Sequence, residues 1–518
     1  MSTITDVRLT RPRWRAASPG RAHRVRVRLA IAIALPLAVF YLAWLLRPER
    51  VGDPLLYAVL VAAELFNLTQ ALGFWWTCAR ERSRRPLALH GAHGIPEVDV
   101  LIPVYGEPLD VVEPTVAAAR RLRGARVKAW VLDDGRSDEL RALAARHGAG
   151  YIRRRSRNGA KAGNINHALR RTGSPYVVVL DCDHVPDEDL LLATLGHLAA
   201  DDMAFVQTPQ YYANWRANPL AAAAWAQQAM FFGAIARGKD GHGVMFCCGT
   251  NVVFRRAALE SVGGFPEGSL TEDFQLSIHL HEAGWRSAYL PQVLARGLGP
   301  EDMASYVGQQ HRWARGCLSA LPSVLRARLP LRARAHYALS CMFFLSGWTV
   351  LAYMAFPVIR ILTGAQPLDA ATSDQFLLHF APYFGLALYF VALAGGGSYT
   401  FRALALQTAS FWIGIHASLL ALARRRGSFK VTPKRGQEGR QPRAVLPALA
   451  MMALLAAVGV YGLVAGGTDP GTLNNVAFAA VHVAVLAAGV APALRGARAA
   501  QEHQQGATEE ATAQARAA

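Results

Sequence analysis

An α/β domain with a mostly parallel sheet, embedded in an α-helical integral membrane protein, is the fold class this sequence predicts. Three observations carry it. Apolar runs of spanning length lie towards both ends of the 518 residues, and the middle alternates short apolar runs with helix-like segments. Two of the strands read there run straight into paired aspartates.

A helix needs roughly 20 apolar residues to cross a bilayer. Leu29–Leu46 meets that length narrowly, and Pro54–Cys78, carrying Glu64 and Asn67, meets it comfortably. The first run lacks a small-residue cleavage site, so it reads as a span and not a leader. Further runs follow at Tyr337–Leu362, Phe376–Ala394, Leu404–Ala423, Val445–Ala465 and Leu473–Leu494. The composition agrees, with 52% hydrophobic residues and a mean hydropathy of +0.17. A net charge of +19 could suggest nucleic acid, but the arginines crowd beside apolar runs. Arg21, Arg24, Arg26 and Arg28 precede one run, and Arg80, Arg82, Arg84 and Arg85 follow another. That is the positive-inside pattern, so no nucleic acid is expected, and the middle region is placed in the cytoplasm. A crossing at Leu404–Ala423 would put the basic stretch RRRGSFKVTPKRGQEGRQPR outside, so this run reads as an interfacial helix.

The resulting organisation is a basic tail (1–28), two spans (29–79), a cytoplasmic α/β domain (80–334) and two more spans (335–395). An interfacial helix and loop (396–443), two further spans (444–495) and a polar tail expected to be disordered (496–518) complete it. This makes about six spans with both termini inside. The six cysteines show no CxxC spacing, so neither a zinc site nor a disulfide framework is expected.

Within the domain VDVLIPVY, VKAWVLDDG, YIRRR and YVVVLDCD read as strands. Between them DVVEPTVAAARRL, SDELRALAARHG and KAGNINHALRRTG read as helices, the second capped by Ser137 and the third closed by Gly173. Near-continuous apolar strands alternating with helices argue for a parallel sheet covered on both faces. Ligands of such sheets bind beyond the carboxyl ends of the strands. Asp133-Asp134-Gly135 and Asp181-x-Asp183 both fall at that edge. No GxGxxG follows the first strand, which argues against a dinucleotide. Clustered carboxylates repel unless a cation joins them, and hard oxygen ligands suit Mg²⁺ or Mn²⁺ bridging a diphosphate. Thr271-Glu272-Asp273 opens an amphipathic helix, where a plain capping turn is the competing reading. Gln309, Arg312 and Trp313 in QQHRWARG offer an amide, a phosphate-binding guanidinium and a stacking ring, although such residues are also common in cores. SFKVTPK presents Thr432 and Lys434 on a basic loop, with a membrane-surface loop as the alternative.

In this order the motifs resemble those of the processive family 2 glycosyltransferases, and among them the cellulose synthase catalytic subunit. The set is Asp133-Asp134-Gly135, Asp181-x-Asp183, Thr271-Glu272-Asp273, Gln309-x-x-Arg312-Trp313 and Phe429-x-Val431-Thr432-x-Lys434. KAGNIN and FCCGTNVVFRR are similar to the segments that lie between them, and the likeness runs over about residues 28–495. The resemblance implies a GT-A-type nucleotide-sugar domain and a UDP-sugar donor. It implies that Asp133 and Asp134 hold the nucleotide, that Asp181 and Asp183 bind the diphosphate through the metal, and that Lys161 and Glu272 join the substrate-binding set. Asp273 would be the general base, Gln309 and Arg312 would steady the leaving pyrophosphate, and Trp313 would hold the growing polysaccharide. Phe429, Val431, Thr432 and Lys434 would form a gating loop. A single base and no nucleophilic carboxylate imply an inverting displacement, so an α-linked donor would give a β-linked product.

The expected function is therefore polymerisation of a UDP-sugar, foremost UDP-glucose, into a β-glucan passed through the bilayer of the plasma (inner) membrane, with accessory synthase subunits as possible partners. Trp348, Tyr353 and Tyr383 are candidates to line the path, against the plainer reading that they pack between helices. No PilZ domain follows the last basic loop, so direct control by cyclic di-GMP is not expected. Curdlan, mixed-linkage glucan and mannan synthases share most of these motifs. A transferase loading one sugar onto a lipid is the next reading, against which the Gln-x-x-Arg-Trp element counts. An inactive transporter or scaffold is the third, against which the intact acidic residues count.

Overall fold

A computed structural model describes residues 20–89, 95–369, 372–425, 439–465 and 469–496. Its centre is a seven-stranded sheet of order β3-β2-β1-β4-β8-β6-β9. The strands are β1 (Glu97–Val104), β2 (Arg126–Asp133), β3 (Gly150–Arg153), β4 (Tyr176–Val179), β6 (Met203–Gln207), β8 (Val252–Arg255) and β9 (Arg286–Tyr289). Only β8 runs against its neighbours. A small second sheet pairs β5 (Val185–Pro186), β10 (Ala295–Gly297) and β7 (Tyr211–Tyr212).

The two-residue period of a strand explains the layers. Val98, Val100, Ile102 and Val104 of β1 face one side, packed with Val112 and Val116 of the helix Leu109–Ala119 and with Leu140 and Leu143 of the helix Asp138–Arg146. Leu101 faces the other side with Val177 and Val179, against Ile165 of the helix Ala160–Leu169 and Leu276 and Leu280 of the helix Glu272–Glu282. The expected strands and helices are all present, with ends moved by a few residues. Ser137 caps its helix as expected, its Oγ accepting the N–H of Leu140 at 3.1 Å. Two details differ. The helix from Ala160 ends at Leu169 and is not closed by Gly173. β4 ends at Val179, so Asp181 and Asp183 stand in a turn, in which the N–H of His184 bonds the carbonyl of Asp181 at 2.9 Å.

Six helices among the described residues are long and apolar enough to cross a membrane: Ala22–Leu45, Pro54–Cys78, Leu331–Thr363, Asp374–Ala394, Pro442–Ala465 and Pro470–Arg495. The chain is a multi-pass membrane protein. The run from Leu404 is broken at Ser410 into the helices Phe401–Ala409 and Phe411–Leu422, bent by 42°. Neither half has the length of a span. Domain and membrane helices are joined by buried ion pairs, Arg84 to Asp240 and Arg237 to Glu81, both at 2.9 Å. Part of the basic flank after the second span is thus consumed internally. Tyr353 and Tyr383 pack between helices: Tyr353 donates to Glu64 at 2.9 Å, and Tyr383 stacks on Tyr41 with centroids 5.8 Å apart. Trp348 donates to Ser418 at 3.0 Å and stays partly exposed.

Candidate active site

The carboxyl edge of the sheet gathers the acidic motifs, but the two strand ends are built differently. At the end of β2, Asp133 is fully buried and its carboxylate accepts the N–H of Arg136 at 2.7 Å, the N–H of Ser137 at 2.8 Å and the hydroxyl of Tyr151. Asp134 is gripped in a fork by Arg154, Nε to Oδ1 and Nη2 to Oδ2, each at 2.6 Å. Arg154 also donates to the carbonyl of Ala160 at 2.8 Å, so the pair sets the loop that leads to Lys161. Both aspartates are where the donor's nucleotide was expected, yet their oxygens are engaged by the protein itself.

Beyond β4 the groups face a shared space. Lys161 donates to Asp181 at 2.5 Å and to the carbonyl of Gly249 at 2.8 Å. Thr250 Oγ1 accepts the N–H of Asp181 at 2.8 Å, so FCCGTN directly frames the site. Burial opposes the charge on Lys161, but Asp181, Glu272 and Asp273 outweigh it and hold its proton above the ordinary lysine range. Glu272 and Asp273 begin the helix Glu272–Glu282. Burial and the neighbouring Asp273 push Glu272 up to about 7, and burial raises Asp273 as well. Asp273 Oδ1 accepts the N–H of Phe274 at 2.8 Å. Gly249 has φ +79°, and a Cβ there would lie 3.0 Å from Asp273 Oδ2 and 3.5 Å from Lys161 Nζ. Only glycine leaves the space between base and lysine open. The Cys247 and Cys248 thiols are pushed up by burial, which keeps them protonated and unreactive.

Gln309, Arg312 and Trp313 lie on one long helix, Met303–Arg326, each partly buried. This helix meets the acidic helix through Gly316, where a Cβ would stand 2.3 Å from Thr271 Cγ2. Thr271 stands at the N-cap position of its helix without a side-chain capping bond, and its side chain lies against Gly316. The other face of the long helix carries the bent pair: His311 and His416 share a 2.9 Å hydrogen bond, and Arg315 donates to the carbonyl of Arg425 at 2.5 Å. Phe429, Val431, Thr432 and Lys434 lie outside the described residues.

The site fits a divalent cation. Ligand atoms of Asp181, Asp183 and His184 all lie within 4.8 Å of one another. His184 is 4% exposed, and neither of its ring nitrogens has a hydrogen-bond partner. An imidazole without a hydrogen bond, its Nδ1 3.5 Å from Asp183 Oδ1, suits a metal. Sequence reasoning passed over His184, although it follows Asp183 directly in DCDH; Arg154, Tyr151 and Thr250 carried no local signal at all.

Residues 176–396 match the family described as glycosyl transferase family group 2. Cellulose synthase 2 of Novacetimonas hansenii is 32% identical over 452 residues, covering 83% of this chain and 28% of that protein. The UDP-forming cellulose synthase catalytic subunit of Komagataeibacter sucrofermentans is 30% identical over 456 residues, covering 80% of this chain and 57% of the relative. In shape, a mannosyltransferase from Pyrobaculum calidifontis, solved with GDP-Man and Mn2+, matches 70% of this chain and 99% of that one at 18% identity and a TM-score of 0.48. The chain spans 28% to 57% of the length of these curated relatives. With the acidic motifs at one edge of a mostly parallel sheet, the chain belongs to the family 2 glycosyltransferases, as a GT-A-type domain among membrane helices related to the cellulose synthase catalytic subunits.

Proposed function

We propose that the chain is a processive, inverting glycosyltransferase that polymerises a UDP-sugar, UDP-glucose first, into a β-glucan such as cellulose and passes it across the plasma membrane from a cytoplasmic domain. One observation carries this reading: Lys161, Asp181, Glu272 and Asp273 converge on one space, with the Gln309–Trp313 helix seated on Thr271. The names of the relatives support the substrate and product, since both are cellulose synthases and one is specified as UDP-forming.

The acceptor hydroxyl oxygen forms a bond to the anomeric carbon of the donor as the bond from that carbon to the diphosphate oxygen breaks. Asp273 takes the hydroxyl proton, and the electron pair departs on UDP. A base poised near the working pH is most effective, and burial raises Asp273 in that direction. Lys161 and Arg312 offset the negative charge that grows on the leaving diphosphate. Asp181 and Asp183, with His184 within reach, would hold Mg²⁺ or Mn²⁺, which would supply Lewis-acid stabilisation of the leaving group. Gln309 orients the diphosphate, and Trp313 offers the terminal sugar a flat apolar face. Asp133 and Asp134 support the nucleotide pocket from beneath. Phe429, Val431, Thr432 and Lys434 close over the donor.

The test uses membrane vesicles containing the chain, Mg²⁺ and a panel of radiolabelled UDP-sugars, with Asp273→Asn vesicles as the blank. Ethanol-insoluble product from UDP-glucose, degraded by a β-1,4-glucanase and absent from the blank, is expected. A β-1,3-glucanase-sensitive or mannan product would move the assignment to another β-glycan. Label that extracts into organic solvent and never lengthens would overturn processivity in favour of transfer to a lipid.

A further inference from the structure

Away from the acidic edge, the described residues enclose a cavity of about 300 Å³ at the junction of the catalytic domain with the membrane helices. Its floor is apolar, formed by Leu220 and Ala223 of the helix Pro219–Met230, Leu406 of the first bent half and Ala488 of the last span. Its rim carries Arg402, at the start of the bent helix, and Arg495, the last residue of the last span. Both arginines are exposed, and among the described residues neither has an ion-pair or hydrogen-bond partner.

The remaining charged groups on the lining are Glu301 and Asp302. They are already committed. Glu301 accepts the Asn214 amide at 2.7 Å, and Asp302 caps the helix Met303–Arg326 by accepting the N–H and hydroxyl of Ser305 at 2.9 and 2.7 Å. Two more exposed arginines, Arg440 and Arg443, flank the same rim, because the N–H of the intervening Gln441 bonds the carbonyl of Ala493 at 2.8 Å. Gln441 also accepts the N–H of Ala304 at 2.8 Å, which joins this strip to the start of the Gln309–Trp313 helix.

We propose that this cavity binds the headgroup of an anionic phospholipid, with Arg402 and Arg495 holding the phosphate and the apolar floor taking the first part of an acyl chain. Unpaired guanidinium groups present forked donors that match phosphate oxygens. Basic pockets between spans, at the membrane boundary, are suited to acidic lipid headgroups. A soluble phosphate would account for the arginines but not for an apolar floor built from a span and a bent helix. Neither arginine belongs to the catalytic set, so the site is separate from sugar transfer. A lipid here would brace the domain through the strip that ends on the Gln309–Trp313 helix.

The experiment titrates the full chain, purified in a neutral detergent, with phosphatidylglycerol or phosphatidylcholine and counts bound lipid by native mass spectrometry. Each basic group near a lipid surface is worth about fivefold in affinity, so the pair predicts a preference of about thirtyfold for phosphatidylglycerol. Arg402→Ala/Arg495→Ala should abolish that preference while the protein remains monodisperse with unchanged circular dichroism. Should the double variant not fold, Ala223→Phe, which fills the floor and leaves both charges, should weaken retention in the same way. Equal retention of the two lipids, or a double variant that still prefers phosphatidylglycerol, overturns the proposal. Complete displacement of the lipid by millimolar inorganic phosphate also overturns it, in favour of a soluble anion.

Discussion

The two acidic strand ends look alike in sequence and differ in what surrounds them. At the end of β2 every carboxylate oxygen of Asp133 and Asp134 meets a donor from the protein, through Arg136, Ser137, Tyr151 and Arg154. Beyond β4, Asp181 leans on Lys161, His184 makes no hydrogen bond but holds Nδ1 3.5 Å from Asp183 Oδ1, and the nearby Glu272 is pushed up to about 7. A carboxylate bound by its own fold is a structural part. One set beside a lysine, further carboxylates and an imidazole suits a cation and a substrate. In the proposed mechanism the first pair shapes the pocket and the second does the chemistry.

The largest effect that could sharpen this contrast is at the base. Asp273→Asn should lower polymer formation by about 10³-fold, within the range for loss of general base catalysis, while UDP binding by calorimetry stays near its original value. Retained activity would remove Asp273 from its role. Next, Asp181→Asn and Asp183→Asn should weaken Mn²⁺-dependent binding of UDP by about 100-fold, with a smaller fall in the thermal unfolding midpoint than at Asp134, because Glu272 and Asp273 remain beside Lys161.

Asp134→Asn should behave in the opposite way. It leaves the Arg154 guanidinium buried without its counter-ion, at a cost of about 3–5 kcal/mol, so the midpoint should fall by many degrees. An unmoved midpoint with activity lost would break the comparison and place Asp134 against the substrate. Gly316→Ala is a milder probe. Its methyl group would meet Thr271 Cγ2 at 2.3 Å, separating the Trp313 helix from the base, and should cost about 10-fold in rate with little loss of UDP binding.

The smallest effect is a shift in pH dependence. The base works only when ionised, and burial raises Asp273 while burial and Asp273 raise Glu272 to about 7. Polymer formation should therefore climb with pH in a range above that of an ordinary carboxylate. Glu272→Gln removes a negative neighbour, which lowers the pKa of Asp273 and should move that limb to lower pH. A limb that stays in place would show that a different group sets it.

What could be read in advance follows from how local each cause is. The strands around Ile102, Val131 and Val178 were legible because unbroken apolar runs suit a sheet buried on both faces. The charge that follows Leu404–Ala423 argued for one interfacial helix and gave no sign of the break near Ser410. The reversal of β8 was not legible, because a strand's direction depends on partners distant in sequence. Nor was the packing of Thr271, whose side chain meets the glycine of a helix more than 40 residues along.

The sequence by itself determined the layers, the candidate spans, and the order and identity of the acidic, Gln-x-x-Arg-Trp and basic-loop motifs. Each of these depends on residues adjacent in the chain. Only the tertiary structure decided which donors and charges each acid meets. Arg154 lies 20 residues from Asp134, Lys161 lies 20 from Asp181, and Gly249 lies a further 68 residues along. A carboxylate's role is set by which donors and charges fold against it, and those distances in sequence are closed only by the packed sheet and its helices.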